Sequence, residues 1–136
     1  TSGGAINVMT NAFKIYDTLF RNCKSYEKCG AIKSITINFN DIVGCCFDRC
    51  ESSKGYHVFL MAQIQQNKQF NIYDTIITNT RIKESTRGSY IIAEESHSFL
   101  AKGLNITNNE IHAKYGAIYT NQNKTRFNFL CFSNCI

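Results

Sequence analysis

Ile15-Tyr16-Asp17-Thr18-Leu19-Phe20-Arg21-Asn22-Cys23 and Ile72-Tyr73-Asp74-Thr75-Ile76-Ile77-Thr78-Asn79-Thr80 are two copies of one pattern in a chain of 136 residues. Both open with Ile-Tyr-Asp-Thr and place an apolar anchor, Phe20 or Ile77, two residues before an asparagine. The anchor recurs at Phe47, Ile106 and Phe132, with Arg49, Asn108 and Asn134 two residues later and Cys50, Asn109 and Cys135 next. Two residues before it stand Thr18, Cys45, Thr75, Leu104 and Leu130.

Two further series keep the same phase. Gly4, Gly30, Gly55, Gly88 and Gly116 open apolar stretches at steps of 26, 25, 33 and 28 residues, and Phe13, Phe39, Phe70, Phe99 and Phe127 supply one phenylalanine per unit. Self-similarity at this period is the mark of a repeat architecture. Within each unit, short runs rich in Ile, Val, Phe, Tyr and Thr are separated by Asn, Lys, Ser and Gly, which read as strands and turns. No apolar spacing of three and four is sustained over a helix length. The reading is all-β: a parallel β-helix (solenoid) of about five coils, three short strands per coil, with like residues stacked about 4.8 Å apart. Stacked Phe, Ile and Thr then share burial along an axis, which one coil alone does not achieve. The absence of proline fits strands that all donate their N–H groups to a neighbour.

Composition sets the outer limits. A chain that is 43% hydrophobic and 12% aromatic builds a core and is no disordered tail. No apolar run approaches the ~20 residues that cross a bilayer, so no membrane span is expected in this segment. The charge of +5 is small and evenly spread, which argues against nucleic acid. Seven cysteines are an odd number, so at least one thiol is free or pairs elsewhere.

Gly3-Gly4-Ala5-Ile6, its weaker copies at Gly30 and Gly116, and the Phe-x-Asn motifs at Phe20 and Phe132 resemble right-handed parallel β-helix proteins. The nearest variety is the polymorphic outer-membrane-protein-like and adhesin-like surface repeat, and the wider fold resembles that of pectate and pectin lyases. The Phe-to-Asn spacing is one residue shorter here than in the bacterial surface repeats. The resemblance implies a right-handed solenoid used as a non-catalytic, extracellular or cell-surface scaffold or adhesive face for a glycan or a protein. Residues 1–136 then form a single β-helix segment, expected to be a fragment of a longer repeat protein.

Several side chains carry alternative chemistry. In the competing reading, a polysaccharide lyase or glycoside hydrolase, Asp17 and Asp74 occupy equivalent places about 10 Å apart, with Arg49 as the basic partner. The plainer account makes the repeated Asp a turn residue. Asn22, Asn79, Asn108 and Asn134 suggest an asparagine ladder at an inward turn. Arg49 interrupts it, so either its guanidinium points outward or the local turn differs. Cys23 and Cys50 fall within disulfide reach in adjacent coils, or are small turn fillers interchangeable with Thr80 and Asn109. Cys45 reads as an inward thiol packed as a small hydrophobe. No zinc-ligand spacing is present, and no cofactor or metal is expected. Asn105 and Asn123 begin N-glycosylation acceptor triplets. Tyr16, Tyr56, Tyr73, Tyr90 and Tyr119 are candidate flat rings for sugar stacking.

Overall fold

The computed structural model describes residues 4–26, 29–53, 58–63, 69–85, 89–94, 98–113, 116–121 and 124–135. They contain strands and turns and no helix. The first coil carries β1 (Ile6–Tyr16), β2 (Leu19–Arg21) and β3 (Lys24–Ser25); the second carries β4 (Ile32–Val43), β5 (Cys46–Asp48) and β6 (Glu51–Ser52). The third has β7 (Phe59–Gln63), β8 (Gln69–Tyr73), β9 (Ile76–Thr78) and β10 (Arg81–Ser85). The fourth has β11 (Ile91–Glu94), β12 (Ser98–Lys102), β13 (Asn105–Thr107) and β14 (Glu110–Ala113), and β15 (Ile118–Thr120), β16 (Lys124–Asn128) and β17 (Cys131–Ser133) follow. Every pairing is parallel, and the chain is a parallel β-solenoid.

Two details of the expected architecture change. On one side five strands stack in the order β17-β13-β9-β5-β2, but only about three turns are flanked by a coil above and below. The strands are also not uniformly three and short. β1 and β4 run 11 and 12 residues along two sides of the coil, and the later coils divide that path into two strands, so β4 pairs with both β7 and β8.

The anchor series stacks as its spacing predicts. Phe20 pairs with Phe47, Phe47 with Ile77, Ile77 with Ile106 and Ile106 with Phe132. Phe20 and Phe47 lie face to face, centroids 4.9 Å apart and planes within 3°. Phe47, Ile77 and Ile106 are fully buried. At about 25 cal/mol per Å² of apolar surface, such a ladder is the main force that holds coil to coil.

The other phenylalanine series is only partly a ladder. Phe70 and Phe99 are in register, with rings 4.9 Å apart. The register partner of Phe13 and Phe70, however, is Asn40, and Phe39 lies one residue earlier, opposite Ala12 and Gln69. Side chains alternate faces, so this one-residue offset turns Phe39 outward, where Lys14 sits 4.8 Å from its ring centroid. Phe127 pairs with Ala101, two residues after the Phe99 row, and reaches back to meet the Phe99 ring edge-on at 5.7 Å. Asn40 is buried in the apolar row and satisfied there: Ser34 Oγ donates to its Oδ1, and its Nδ2 donates to Thr36 Oγ1, both at 2.6 Å.

The glycine series holds at Gly4 and Gly30, where a methyl on Gly4 would run into the Gly30 carbonyl. In the fourth coil Ser89 faces Gly116, its hydroxyl donating to the Gly116 carbonyl at 2.5 Å. Gly55 and Gly88 themselves lie outside the described residues.

Candidate functional site

The two corners that flank β2, β5, β9, β13 and β17 are built on left-handed backbone. At the first, Asp17, Gly44, Asp74, Gly103 and Phe129 all have φ between 45° and 67°. At the second, Asn22, Arg49, Asn79, Asn108 and Asn134 have φ between 49° and 54°. Asn, Asp and Gly tolerate this region, which is why they recur there. The side chains of the second row are exposed, so the asparagine ladder is an outward one, not an inward one. A left-handed residue splays its side chain away from the axis, and the residue after it turns in. Asn134 still donates to Asn108 Oδ1 at 3.1 Å. Arg49 keeps the same turn as its neighbours, and its guanidinium points outward.

The inward residue after a corner is usually small and carries a donor, though at the first corner Leu104 and Leu130 fill the place with an apolar side chain. Thr18 and Thr75 donate to the carbonyls of Tyr16 and Tyr73 at 2.6 and 2.8 Å, and Cys45 Sγ approaches the Val43 carbonyl at 3.4 Å. At the second corner Cys23, Cys50, Thr80 and Cys135 each approach the carbonyl two residues earlier at 3.3–3.8 Å. Asn109 instead accepts from the Thr80 amide at 2.7 Å and donates to the Ile77 carbonyl at 2.9 Å. Four of the seven cysteines are therefore corner residues that stand in for threonine. Cys45 is buried, as expected for a thiol packed as a small hydrophobe, and burial pushes its pKa up. Cys23 and Cys50 stack in adjacent coils as free thiols. Burial pushes the Cys50 thiol up to about 12, with the neighbouring Cys23 adding to the effect.

The residues of the enzymatic alternative are not brought together. Asp17 and Asp74 belong to the first corner, where each carboxylate lies against the glycine of the following coil, Gly44 or Gly103. Arg49 belongs to the other corner, across the three-residue strand β5. It is held there by Asp48, with Nη2 at 3.1 Å and Nε at 3.3 Å from Oδ2.

Asp48 is the centre of a polar cluster that the sequence reading missed. It is 6% exposed, takes Arg21 Nε at 3.0 Å on the same oxygen, and accepts from Asn79 Nδ2 at 2.9 Å on Oδ1. The Asn79 hydrogen bond, then Arg49 and Arg21, hold its carboxyl below the usual carboxylate range. The signal was present: Arg21 and Asp48 share a ladder position, and Asp48 precedes the residue that breaks the asparagine row.

The broad sheet of β1, β4, β8, β12 and β16 offers the richest outer face. Its outward rows are Ala12-Phe39-Gln69-Ser98-Lys124, Lys14-Asp41-Asn71-Leu100-Arg126 and Tyr16-Val43-Tyr73-Lys102-Asn128. A groove of about 570 Å³ runs over Gln69, Asn71, Tyr73, Leu100, Lys124 and Arg126. Asp41 is occupied within the sheet, by Lys14 at 3.8 Å and Asn71 at 2.8 Å. At the edge of this face, just after Asn128, Phe129 is 82% exposed at φ 57° where the other coils use Asp or Gly. Held against solvent in backbone that a bulky residue disfavours, it is an outlier of the kind that gathers at functional sites.

Of the tyrosines considered for stacking, Tyr16 and Tyr73 lie on this face, and Tyr119 lies outward on β15, in the first run of the same sheet. Tyr90 is fully buried instead, because it falls in the inward row of Ala31 and Ala117, the residues just before the strand. Its hydroxyl has no hydrogen-bond partner, and burial raises its pKa. Tyr56 lies outside the described residues. Asn105 is half-buried on the outer face of β13, beside the Thr107 hydroxyl that bonds Thr78 Oγ1 at 3.2 Å; Asn123 lies outside the described residues. Among the described residues no group of three His, Cys, Asp or Glu side chains converges as a metal site would require. Among the described residues no helix is long and apolar enough to cross a membrane. No protein-family model, curated protein or solved structure matches this chain.

Proposed function

We propose that this chain is a non-catalytic segment of an extracellular or cell-surface protein, similar in kind to adhesin-like β-helix repeats. In this reading the outer face of β1, β4, β8, β12 and β16 receives a glycan. The observation that carries it is the grid itself. Rings at Tyr16 and Tyr73, amides at Gln69, Asn71 and Asn128, and cations at Lys102, Lys124 and Arg126 stand side by side on a rigid parallel sheet. A sugar chain needs this mixture of apolar planes and fixed donors, with little ordering of the protein on binding. Phe129 adds a ring at the corner, at a cost in backbone strain that packing does not explain. The half-buried Asn105 acceptor triplet on a separate face is compatible with export.

Phe129→Gly tests the reading because its two effects have opposite signs. Relief of the left-handed strain raises stability by about 1 kcal/mol. Loss of the ring lowers retention on immobilised polysaccharide. A variant that is more stable and binds as well as the parent removes Phe129 from the site. Failure of the parent to bind any of a panel of neutral and acidic glycans refutes the proposal as a whole.

A further inference from the structure

We propose that the ligand of this face is a sulfated polysaccharide, held by Lys102, Lys124 and Arg126. The inference rests on the glycan reading above and names the class of glycan. In the three outward rows given above, four cations, Lys14, Lys102, Lys124 and Arg126, face one carboxylate, Asp41. Lys14 is matched to that carboxylate, at 3.8 Å. The other three are exposed, and among the described residues none has an acidic partner within ion-pair distance.

Elsewhere the described side chains show how this protein treats charge when no ligand is intended. Lys24 pairs with Glu51 at 3.3 Å, Arg81 with Glu110 at 3.4 Å, and Arg21 and Arg49 with Asp48. Unmatched cations concentrate instead on the last two strands of the groove face. Lys124 and Arg126 are two residues apart on β16, about 7 Å, and Lys102 stands on the adjacent strand opposite Asn128. The three make one patch beside the Tyr73 ring, with Asn71 and Asn128 available to hydroxyls.

Sulfate suits this patch better than carboxylate. Two of the three cations are lysines, which act as point charges toward a multi-oxygen anion. Carboxylate recognition favours the paired donors of arginine. A single-stranded nucleic acid would ask for successive rings on which bases stack, and within the groove Tyr73 is the one aromatic ring on the outward rows.

The test compares the parent with the triple variant Lys102→Ala/Lys124→Ala/Arg126→Ala and with Lys24→Ala/Arg81→Ala, which removes charge from another side. All five side chains are exposed, so folding is not at risk. Binding is measured to heparin, polygalacturonate, a neutral glucan and single-stranded RNA. The expected result is binding to heparin that falls up to about five-fold per charge removed in the triple variant and hardly changes in the control. Binding also weakens with salt. Equal loss in both variants, preference for polygalacturonate, or equal binding to RNA overturns the assignment. Binding to neutral glucan alone overturns it while leaving the glycan reading standing, and no binding to any glycan removes both.

Discussion

Phe47→Ala perturbs the centre of the stacked ladder, and its cost follows from what the ring touches. Phe47 is fully buried, lies flat on Phe20 at 4.9 Å, and meets Ile77 of the next coil on its other side. Truncating a phenylalanine in such a site costs about 3–5 kcal/mol, a large share of the 5–15 kcal/mol typical of a domain. Phe20→Ala costs less, because Phe20 is 6% exposed and stacks on Phe47 from one side. The two rings share one contact, so the double variant is less destabilised than the sum of the singles by about 0.5–1.5 kcal/mol. Urea denaturation followed by far-UV circular dichroism reads all four corners of the cycle. If Phe47→Ala does not fold, Phe47→Leu, at about 1 kcal/mol, replaces it in the cycle. Additivity within about 0.3 kcal/mol, or a cost below about 1 kcal/mol for Phe47→Ala, refutes the claim that coils are held by stacked rings.

Glycines of opposite context give opposite signs. Gly44→Ala, at φ 63° with Asp17 against it, lowers stability by about 1–2 kcal/mol, and adding Asp17→Ala returns part of the loss. Gly116→Ala, with open space around it, raises stability by about 0.4–1 kcal/mol by restricting the unfolded chain; both are read from thermal melts. Because the folded pKa of Asp48 is lowered, its contribution is present above the unfolded carboxylate value, about 3.9, and is lost as pH falls toward the folded one. Asp48→Asn is therefore less stable than the parent at pH 7, and the two converge in denaturation curves below about pH 4. Alkylation with iodoacetamide at pH 8, mapped by mass spectrometry, labels exposed Cys131 and Cys135 first. Cys50, raised to about 12, presents about a thousand-fold less thiolate than an ordinary cysteine, and labels only on unfolding.

The anchor series was legible because nothing interrupts the count between the two corners: Phe20, Phe47, Ile77, Ile106 and Phe132 each sit three residues after one left-handed residue and two before the next. The Phe13 series failed at Phe39 because the β1–β4 register shifts between Thr10 and Ala12, where β4 carries one residue more, and β4 runs round two sides, so equal spacing no longer means equal face. The asparagine row was found at the correct positions with the wrong orientation, since a residue count fixes register but not the sign of φ. The Asp48 cluster and the cation patch depend on side chains from different coils, and only the stacking order brings them together.

The corner rule also changes what cysteine abundance means here. A thiol that follows a left-handed residue serves as a compact donor to a carbonyl, a task threonine performs equally well in neighbouring turns. Drift between the two residues would alter the sulfur content of this protein without altering its shape. Its thiol count is therefore a poor guide to the redox conditions in which it lives.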